Sequence, residues 1–413
     1  MAHTLSTSDP EARQAPPARR SRPFPLRRVL TTVLSWMSVC WLVIAVVLSP
    51  AVPGGWLTML GLALLSAAPL LGMARWFGGG GVPSALARLL VIRPFWYTQL
   101  ALPLLAIAGL LGTLVGLVFG APGAGGRTAL LAVGLVYAGG VLAGWIGSRR
   151  LTVRRLEARL ANLPAELDGL RIAQISDLHV GPHTSRRHLA RISATVAASQ
   201  PDLIAITGDQ VDDYADDVRH FAAAFGDLAA PLGVFAIAGN HDVYAGWDGV
   251  RAGLERMGVR VLVNEAERLS HRGAGFWLAG TGDPAGGYAG GGGSPVAPDI
   301  ERTLARVPAG DFTITLAHNP ALWPALAERG VDLTLSGHTH YGQLGIPRLG
   351  WSLASAFLEH AMGWYRRDGS LLYINPGTNF WGIPFRLGAN PEVTVLTLRH
   401  AAEPDQGIGP ERA

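Results

Sequence analysis

The sequence contains no lysine, so all 34 of its basic residues are arginine. It also contains no aspartate or glutamate between Glu11 and Glu157, which divides the chain sharply in composition. The formal net charge of +4 therefore reflects an arginine bias. No dense basic run interleaved with aromatic residues follows in the polar half, so nucleic-acid binding is not expected.

Cysteine is nearly absent as well, and Cys40 lies in an apolar segment. A lone cysteine excludes a disulfide within the chain and leaves the redox compartment undetermined.

Long apolar segments dominate the first part of the chain. Each has roughly the ~20 residues that a helix needs to cross the hydrocarbon core of a membrane. The alternative, a set of buried core helices, is disfavoured because no segment has a charged face. The sequence therefore predicts a four-helix transmembrane region over residues 27–150, after a disordered polar tail over residues 1–26. The four predicted spans are Val29–Ser49, Gly55–Met73, Thr98–Phe119 and Thr128–Gly147.

The arginines near these spans are distributed unevenly between the two sides of the predicted membrane region. Of the fourteen, only Arg127 lies in a loop on the second side. The positive-inside rule then places both termini in the cytoplasm. We expect a multi-pass protein of a plasma membrane or bacterial inner membrane with its C-terminal half in the cytoplasm. Arg27-Arg28 weakly resembles a twin-arginine export signal, which is the opposing interpretation.

The C-terminal half alternates between short apolar runs, polar turns and amphipathic stretches. Such alternation predicts an α/β domain with a largely parallel sheet, here over residues 151–400 and followed by a polar tail over residues 401–413. Ligands of such sheets bind at the carboxyl ends of the strands. The runs that end in polar residues are the first half of Arg171–Gly181, then Leu203–Thr207, Val234–Ala238, Phe312–Leu316 and Leu333–Leu335.

The polar residues at these strand ends are mostly carboxylates and imidazoles. Oxygen and imidazole ligands suit Mn, Fe or Zn. There are more of them than one ion requires, whereas two ions about 3.5–4 Å apart that share a carboxylate would use them all. The residues are Asp177, His179, Asp209, Asp212, Asn240, His241, His318, His338 and His340.

The order of these blocks resembles that of the calcineurin-like metallophosphoesterases. The blocks are Asp-x-His, Gly-Asp-x-x-Asp, Gly-Asn-His-Asp, a single His and Gly-His-Thr-His, within Leu151–Leu398. The resemblance implies a four-layer α-β-β-α sandwich. Gly342-Gln343, Pro391-Glu392 and the apolar segments are similar to the membrane-associated bacterial branch of the family. Tyr341 departs from the small residue usual at that position.

The resemblance also implies roles for the individual side chains and two divalent metal ions, Mn, Fe or Zn, as cofactors. His241 would stabilise charge or protonate the leaving oxygen, and Asp212 would orient His241. The remaining residues would be metal ligands. Asp177, His179 and His340 bind the first ion, Asn240, His318 and His338 bind the second, and Asp209 bridges the two.

The function implied is that of a membrane-anchored phosphoester hydrolase, a phosphodiesterase or a pyrophosphatase, in which a metal-bridging hydroxide attacks phosphorus. Its expected partners are the lipid bilayer and a phosphoester substrate, and the membrane-associated branch points to a lipid-linked one such as UDP-diacylglucosamine. The alternative is a non-enzymatic membrane protein whose phosphoesterase-like domain binds a ligand or partner.

A group of aromatic residues follows the last metal-binding block. Aromatic side chains with polar groups suit a membrane interface, and ordinary core packing is the alternative for each of them. They are Trp351, Phe357, Trp364, Tyr365, Phe380, Trp381 and Phe385.

Overall fold

The computed structural model describes residues 26–77, 83–181, 184–289 and 295–401. The two predicted polar tails lie outside the described residues except for Leu26 and Ala401. The chain divides into two compact units, Met1–Gly134 and Leu135–Ala413. The division falls within the last apolar helix, so the C-terminal half of that helix packs with the residues that follow it.

The first unit is built from apolar helices. Among the described residues, four helical stretches are long and apolar enough to cross a membrane: Arg27–Ala51, Gly55–Ala74, Ala85–Val118 and Pro122–Gly147. Large side chains such as Leu57 and Leu71 point outward from them, as expected for side chains that contact lipid. The helices are α1 (Leu26–Leu48), α2 (Gly55–Ala67), α3 (Pro69–Phe77), α4 (Ala85–Ala87), α5 (Arg93–Val118) and α6 (Pro122–Gly147), with a π-helical turn at Arg88–Ile92 between α4 and α5.

Most strands of the second unit belong to two six-stranded sheets. The first sheet contains β1 (Thr152–Leu160), β2 (Arg171–Ile175), β3 (Leu203–Ile206), β4 (Val234–Ala236), β5 (Arg260–Val261) and β14 (Glu392–His400). The second contains β6 (Glu265–His271), β7 (Ala274–Gly280), β8 (Thr313–Leu316), β9 (Leu333–Ser336), β12 (Gly363–Arg367) and β13 (Ser370–Ile374). A two-stranded hairpin is formed by β10 (Gly345–Ile346) and β11 (Trp351–Ser352).

The strand orders are β1-β14-β2-β3-β4-β5 and β12-β13-β9-β8-β7-β6. Strands β2, β3 and β4 run parallel to one another, as do β7, β8, β9 and β13. The prediction of a largely parallel α/β arrangement is confirmed. The carboxyl ends of β2, β3 and β4 therefore lie at one edge of the first sheet, and those of β8 and β9 lie at one edge of the second.

The two sheets share one apolar core. Ile172 and Phe235 of the first sheet belong to the same buried cluster as Leu278 and Ile314 of the second. Helices cover both outer faces, which confirms the four-layer sandwich. The helices are α7 (Arg186–Ala198), α8 (Val218–Phe225), α9 (Asn240–Arg256), α10 (Ala285–Ala289), α11 (Ile300–Leu304) and α12 (Trp323–Ala327).

Helix α9 begins at Asn240, shortly after β4 ends at Ala236, and Asp242 caps its first turn. The Asp242 carboxylate accepts hydrogen bonds from the backbone N–H of Gly239 at 2.9 Å and of Val211 at 3.1 Å. Gly246, at φ 115°, divides the helix into two pieces. The first piece carries Asn240 and His241, so the cap fixes the position of both side chains.

Candidate metal centre

Side chains from five strand ends converge at one end of the sandwich. Gln174 of β2 donates a hydrogen bond to the Ser336 carbonyl of β9 at 2.9 Å, so the two sheets meet where the polar loops begin. The loops from the first sheet carry Asp177, His179, Asp209, Asp212, Asn240 and His241, and those from the second carry His318, His338 and His340. The structure thus brings together all nine residues that the sequence singled out.

The first group of side chains is buried and tightly spaced. His340 Nε2 lies 3.2 Å from Asp177 Oδ1 and 3.0 Å from His179 Nε2. The three residues have ligand atoms within 4.8 Å of one another. One carboxylate and two imidazoles that point at the same space form a donor set suited to Mn, Fe or Zn.

A second group lies next to the first and shares Asp209 with it. His318 Nε2 is 3.2 Å from Asn240 Oδ1, which is also 2.8 Å from His338 Nδ1. Asp209 Oδ2 lies 3.3 Å from His318 Nε2 and 3.6 Å from His179 Nε2. A single carboxylate oxygen therefore lies between the two groups.

Five of these residues have left-handed backbone conformations, which are uncommon outside glycine. Each costs about 1–3 kcal/mol and persists only where its surroundings hold it. The loops supply such support, since Asp177 N–H donates to the Gly208 carbonyl and His179 N–H donates to the Asp209 carbonyl, each at 3.0 Å. The φ angles are 52° at Asp177, 41° at His179, 52° at Asp209, 71° at His338 and 49° at His340.

Two motif glycines are explained by close approach of a ligand carboxylate. A Cβ at Gly239 would overlap the Asp209 carboxylate, and a Cβ at Gly337 would overlap that of Asp177. The loops can approach one another only because these positions lack side chains.

Burial and charge set the ionisation of the ligand carboxylates. Burial alone would raise the pKa of Asp177, but the charge and hydrogen bond of His340, with His318 and His179 nearby, hold that pKa well below its usual value. Burial likewise opposes ionisation of Asp209, whose pKa is nevertheless lowered by His318 and His179. Both carboxylates are therefore ionised at neutral pH, the form that binds cations.

The four histidines of these ligand groups divide into two pairs by the direction in which their pKa values are shifted. Burial lowers the pKa of both His338 and His340 to about 4, so both rings are neutral at pH 7. Burial acts in the same direction on His318 and His179, but nearby carboxylates outweigh it. Asp209 raises the pKa of His318, and Asp212 and Asp209 raise that of His179. These carboxylate charges favour positive charge at the centre.

His241 lies beside the ligand groups with its side chain 17% exposed. Its backbone N–H donates to Asp209 Oδ1 at 2.8 Å, and its Nδ1 donates to the Asp212 backbone carbonyl at 3.0 Å. The Asp212 carboxylate lies 3.7 Å from His241 Nδ1 and 3.5 Å from His179 Nδ1. The hydrogen bond that orients His241 therefore comes from the Asp212 main chain, while the Asp212 side chain lies between two imidazoles.

The sequence prediction missed Arg386, which is fully buried next to His340. Arg386 Nη2 donates to His340 Nδ1 at 2.7 Å, and Nη1 donates to the carbonyls of His340 at 2.9 Å and Pro376 at 2.6 Å. A further hydrogen bond reaches the Asn379 carbonyl. Burial lowers the pKa of Arg386 to about 9, still above neutral pH, so the side chain keeps its charge. Arg386 lies 46 residues beyond His340 in a glycine-rich segment, where no local pattern marks it.

Arg386 is also hydrogen-bonded through its main chain to helix α6. Its backbone N–H donates to the Gly144 carbonyl at 2.8 Å. A Cβ at Gly144 would overlap the Phe385 ring, and a Cβ at Gly147 would overlap the Arg386 carbonyl oxygen. The C-terminal turns of α6 therefore fix the position of Arg386, which in turn is hydrogen-bonded to His340.

Tyr341, which departs from the family pattern, turns away from the ligands. Its hydroxyl donates to the Ile374 carbonyl at 2.8 Å and accepts from the Gly363 N–H at 2.9 Å. The ring is 2% exposed and packs in a cluster with Trp323 and Leu372. The larger side chain is accommodated behind the metal centre.

Comparison with known proteins identifies the family to which the second unit is similar. Residues 170–342 match the family model of the calcineurin-like phosphoesterases. A Bos taurus protein described as a transmembrane protein with metallophosphoesterase domain is 34% identical over 60% of this chain. The alignment spans 57% of that relative's length.

An uncharacterized metallophosphoesterase of Bacillus subtilis, YkuE, is 31% identical over 66% of this chain and 95% of its own length. In a solved structure, the sulfate thiohydrolase SoxB of Thermus thermophilus is 14% identical over 57% of each chain, with a TM-score of 0.36. The chain belongs to the calcineurin-like phosphoesterase family. Its four apolar helices and its similarity to a transmembrane relative indicate that it associates with a membrane.

Proposed function

We propose that this protein is a membrane-anchored hydrolase of phosphoesters, a phosphodiesterase or a pyrophosphatase, with a dinuclear metal centre. The observation that carries the proposal is the position of Asp209. One of its carboxylate oxygens lies 3.6 Å from His179 Nε2 and 3.3 Å from His318 Nε2, between two complete ligand groups.

The ligand groups fit two divalent cations, Mn, Fe or Zn, by their chemistry. Asp177, His179 and His340 would hold one ion, and Asp209 would be shared. Asn240, His318 and His338 would hold the other. When bound, such ions polarise a phosphoryl group and lower the pKa of water to about 7, so that no protein nucleophile is needed.

His241 has the geometry of a general acid. Its Nδ1 is engaged by the Asp212 carbonyl, so its Nε2 remains for the substrate. In the charged form, Nε2–H donates to the leaving oxygen and transfers its proton as the P–O bond breaks. A positioned acid of this kind contributes about 10²–10⁴-fold to the rate.

The predicted membrane region bears on where the catalytic domain lies and which substrates it meets. The arginine distribution favours a cytoplasmic catalytic domain in a plasma or inner membrane. An enzyme anchored in this way meets substrates at the bilayer surface, which supports a lipid-linked phosphodiester or pyrophosphate of the UDP-diacylglucosamine kind.

The test uses full-length protein in lipid nanodiscs, stripped of metal and reloaded with Mn, Fe or Zn. Hydrolysis of a chromogenic phosphodiester should appear on reloading. Asp209→Asn should bind less metal and lose nearly all turnover, because it removes the charge that both ions share. Asp227→Asn, which changes an exposed carboxylate of the same unit, is the matched control.

Two results would contradict the proposal. One is the absence of turnover with every metal, which would favour a binding role for the domain. The other is an Asp209→Asn variant with full metal content and normal activity.

A further inference from the structure

The segment of residues 344–358, here called the apolar hairpin, exposes an unusual amount of apolar surface. The structure describes nine exposed large apolar side chains beyond residue 160, and six of them lie in this segment. Leu349 is 75% exposed and Phe357 is 81% exposed. The other four are Ile346, Trp351, Leu353 and Leu358.

This exposure is built into an ordered element. Strands β10 and β11 pair Ile346 with Trp351 across the hairpin, and Leu353 N–H donates to the Leu344 carbonyl at 2.7 Å. The Ser352 hydroxyl caps the 3₁₀ turn Leu353–Ala356. Because the backbone is held on both sides, the apolar side chains cannot simply turn inward. So many exposed apolar side chains in one ordered segment mark a surface that contacts something other than water.

Charge favours a bilayer as the covering surface. Arg348 is the only charged residue of the apolar hairpin, and the exposed Glu359 follows directly after it. Tryptophan beside aliphatic side chains, with an arginine and without acidic residues, is the composition of segments that lie in the interface of a bilayer.

The apolar hairpin is joined to helix α6 by a short series of hydrogen bonds. Gly345 N–H donates to the Leu387 carbonyl at 2.9 Å, and the neighbouring Arg386 N–H donates to the Gly144 carbonyl at 2.8 Å. The hairpin is thus attached beside the C-terminal turns of a helix that has the length and composition of a membrane span. This continuity argues for the bilayer over a second copy of the chain or another protein.

The residue that directly precedes the apolar hairpin, Gln343, contacts the rim of the metal centre. The Gln343 side chain exchanges two hydrogen bonds with the Trp381 main chain, each 3.1 Å long. The Trp381 ring, which is 47% exposed, packs edge-on against His241 with ring centroids 5.8 Å apart. Trp381 therefore contacts both His241 and the residue that directly precedes the apolar hairpin.

We infer that the apolar hairpin inserts into the interface of the bilayer and presents the metal centre to phosphoesters whose apolar chains remain in the membrane. The substrate class rests on the proposed function, whereas the insertion stands on the exposed side chains themselves. Trp381 would then contact the substrate between its phosphate and its apolar part.

Insertion can be measured with a spin label because Cys40 is the only cysteine. In a Cys40→Ser background, Phe357→Cys carries the label, and Ser270→Cys, exposed on β6, is the control. The protein is placed in nanodiscs of phosphatidylethanolamine and phosphatidylglycerol, with one copy per disc. The label at position 357 should collide with lipid-soluble oxygen and be shielded from a water-soluble nickel chelate, and the label at position 270 should show the reverse.

Equal chelate access at the two positions would overturn the inference. So would shielding at position 357 that appears only when a disc holds two copies, because the hairpin would then cover a second chain. Neither result depends on catalysis. Failure of the proposed hydrolase activity is therefore distinguishable from failure of insertion.

The functional consequence is tested by Leu349→Glu and Phe357→Glu. Each should lower the ratio of turnover on a bilayer phosphodiester to turnover on a soluble nitrophenyl phosphodiester. The expected drop is about tenfold, since burying one Leu or Phe side chain contributes at least that factor. An unchanged ratio would contradict the role of the hairpin in presenting the substrate.

Discussion

Replacing Gly144 with alanine tests whether helix α6 helps to hold the metal centre. The added methyl group would overlap the Phe385 ring, and the Gly144 carbonyl accepts the hydrogen bond of Arg386 N–H at 2.8 Å. The segment that carries Phe385 and Arg386 must therefore move. Arg386 donates to both the carbonyl and the Nδ1 of His340, so the movement reaches a proposed metal ligand.

The expected magnitude follows from two effects. An extra methyl group in a packed contact lowers stability by about 1–3 kcal/mol. We expect residues 385–386 to move in order to relieve the overlap. Loss of a hydrogen bond that orients a metal ligand typically lowers metal affinity or activity by about 10–100-fold. We therefore expect Gly144→Ala to weaken binding of the ion held by His340 within that range, while the ion held by Asn240, His318 and His338 is retained.

The assay is metal analysis of full-length protein in nanodiscs after dialysis against graded concentrations of chelator. The stoichiometry of Gly144→Ala should fall towards one ion at chelator concentrations where the unchanged protein keeps two. The matched control is Gly140→Ala, one turn earlier on the same helix, where no atom lies within 4 Å of the added Cβ. Equal metal retention by the two variants would refute the coupling between α6 and His340.

The remaining predictions concern catalysis, proton release and topology. His241→Ala should keep its metals and lose about 10²–10⁴-fold in turnover on alkyl phosphodiesters. The loss should be smaller for a nitrophenolate leaving group, and loss of a metal ion would instead make His241 a ligand. Asp212→Asn should show a weaker form of the same pattern because its main-chain hydrogen bond to His241 remains, and a loss as large as that of His241→Ala would contradict this reasoning. Metal binding near pH 7 should release protons and become tighter as pH rises, because the raised pKa values of His318 and His179 favour protonated rings that must lose their protons to coordinate. Calorimetry in buffers of different ionisation enthalpy measures this release, and an absence of proton exchange would contradict the prediction. A reporter active only outside the membrane, fused after Ala413, should stay silent, and a strong external signal would support the export interpretation.

The sequence was most informative where a buried strand ends in polar residues. The predicted run Leu203–Thr207 forms β3 at Leu203–Ile206, and Phe312–Leu316 forms β8 at Thr313–Leu316. These strands are buried on both faces, so their continuous apolar runs are easily recognised. Parallel strands then bring their carboxyl ends together, which is why the nine polar residues could be grouped before their distances were known.

Edge strands were harder to recognise. Strand β6, Glu-Ala-Glu-Arg-Leu-Ser-His, buries only Ala266 and Leu269, and β12 has no fully buried residue. Both lie at the edges of the second sheet and pair with one antiparallel neighbour. Their strand conformation comes from that pairing, which sequence periodicity does not report.

The motifs identify the side chains that would bind metal, whereas the structure shows what holds them in place. Five of the proposed site residues have left-handed backbones at a cost of about 1–3 kcal/mol each, and contacts from elsewhere must offset that cost. Much of the support comes from residues 375–386, which no motif covers. Thr378 N–H donates to the Ser176 carbonyl, Asn379 Nδ2 donates to the Leu178 carbonyl, and Arg386 donates to His340. Substitutions in this segment should therefore release metal nearly as readily as substitutions of the ligands, although none of these side chains would touch an ion.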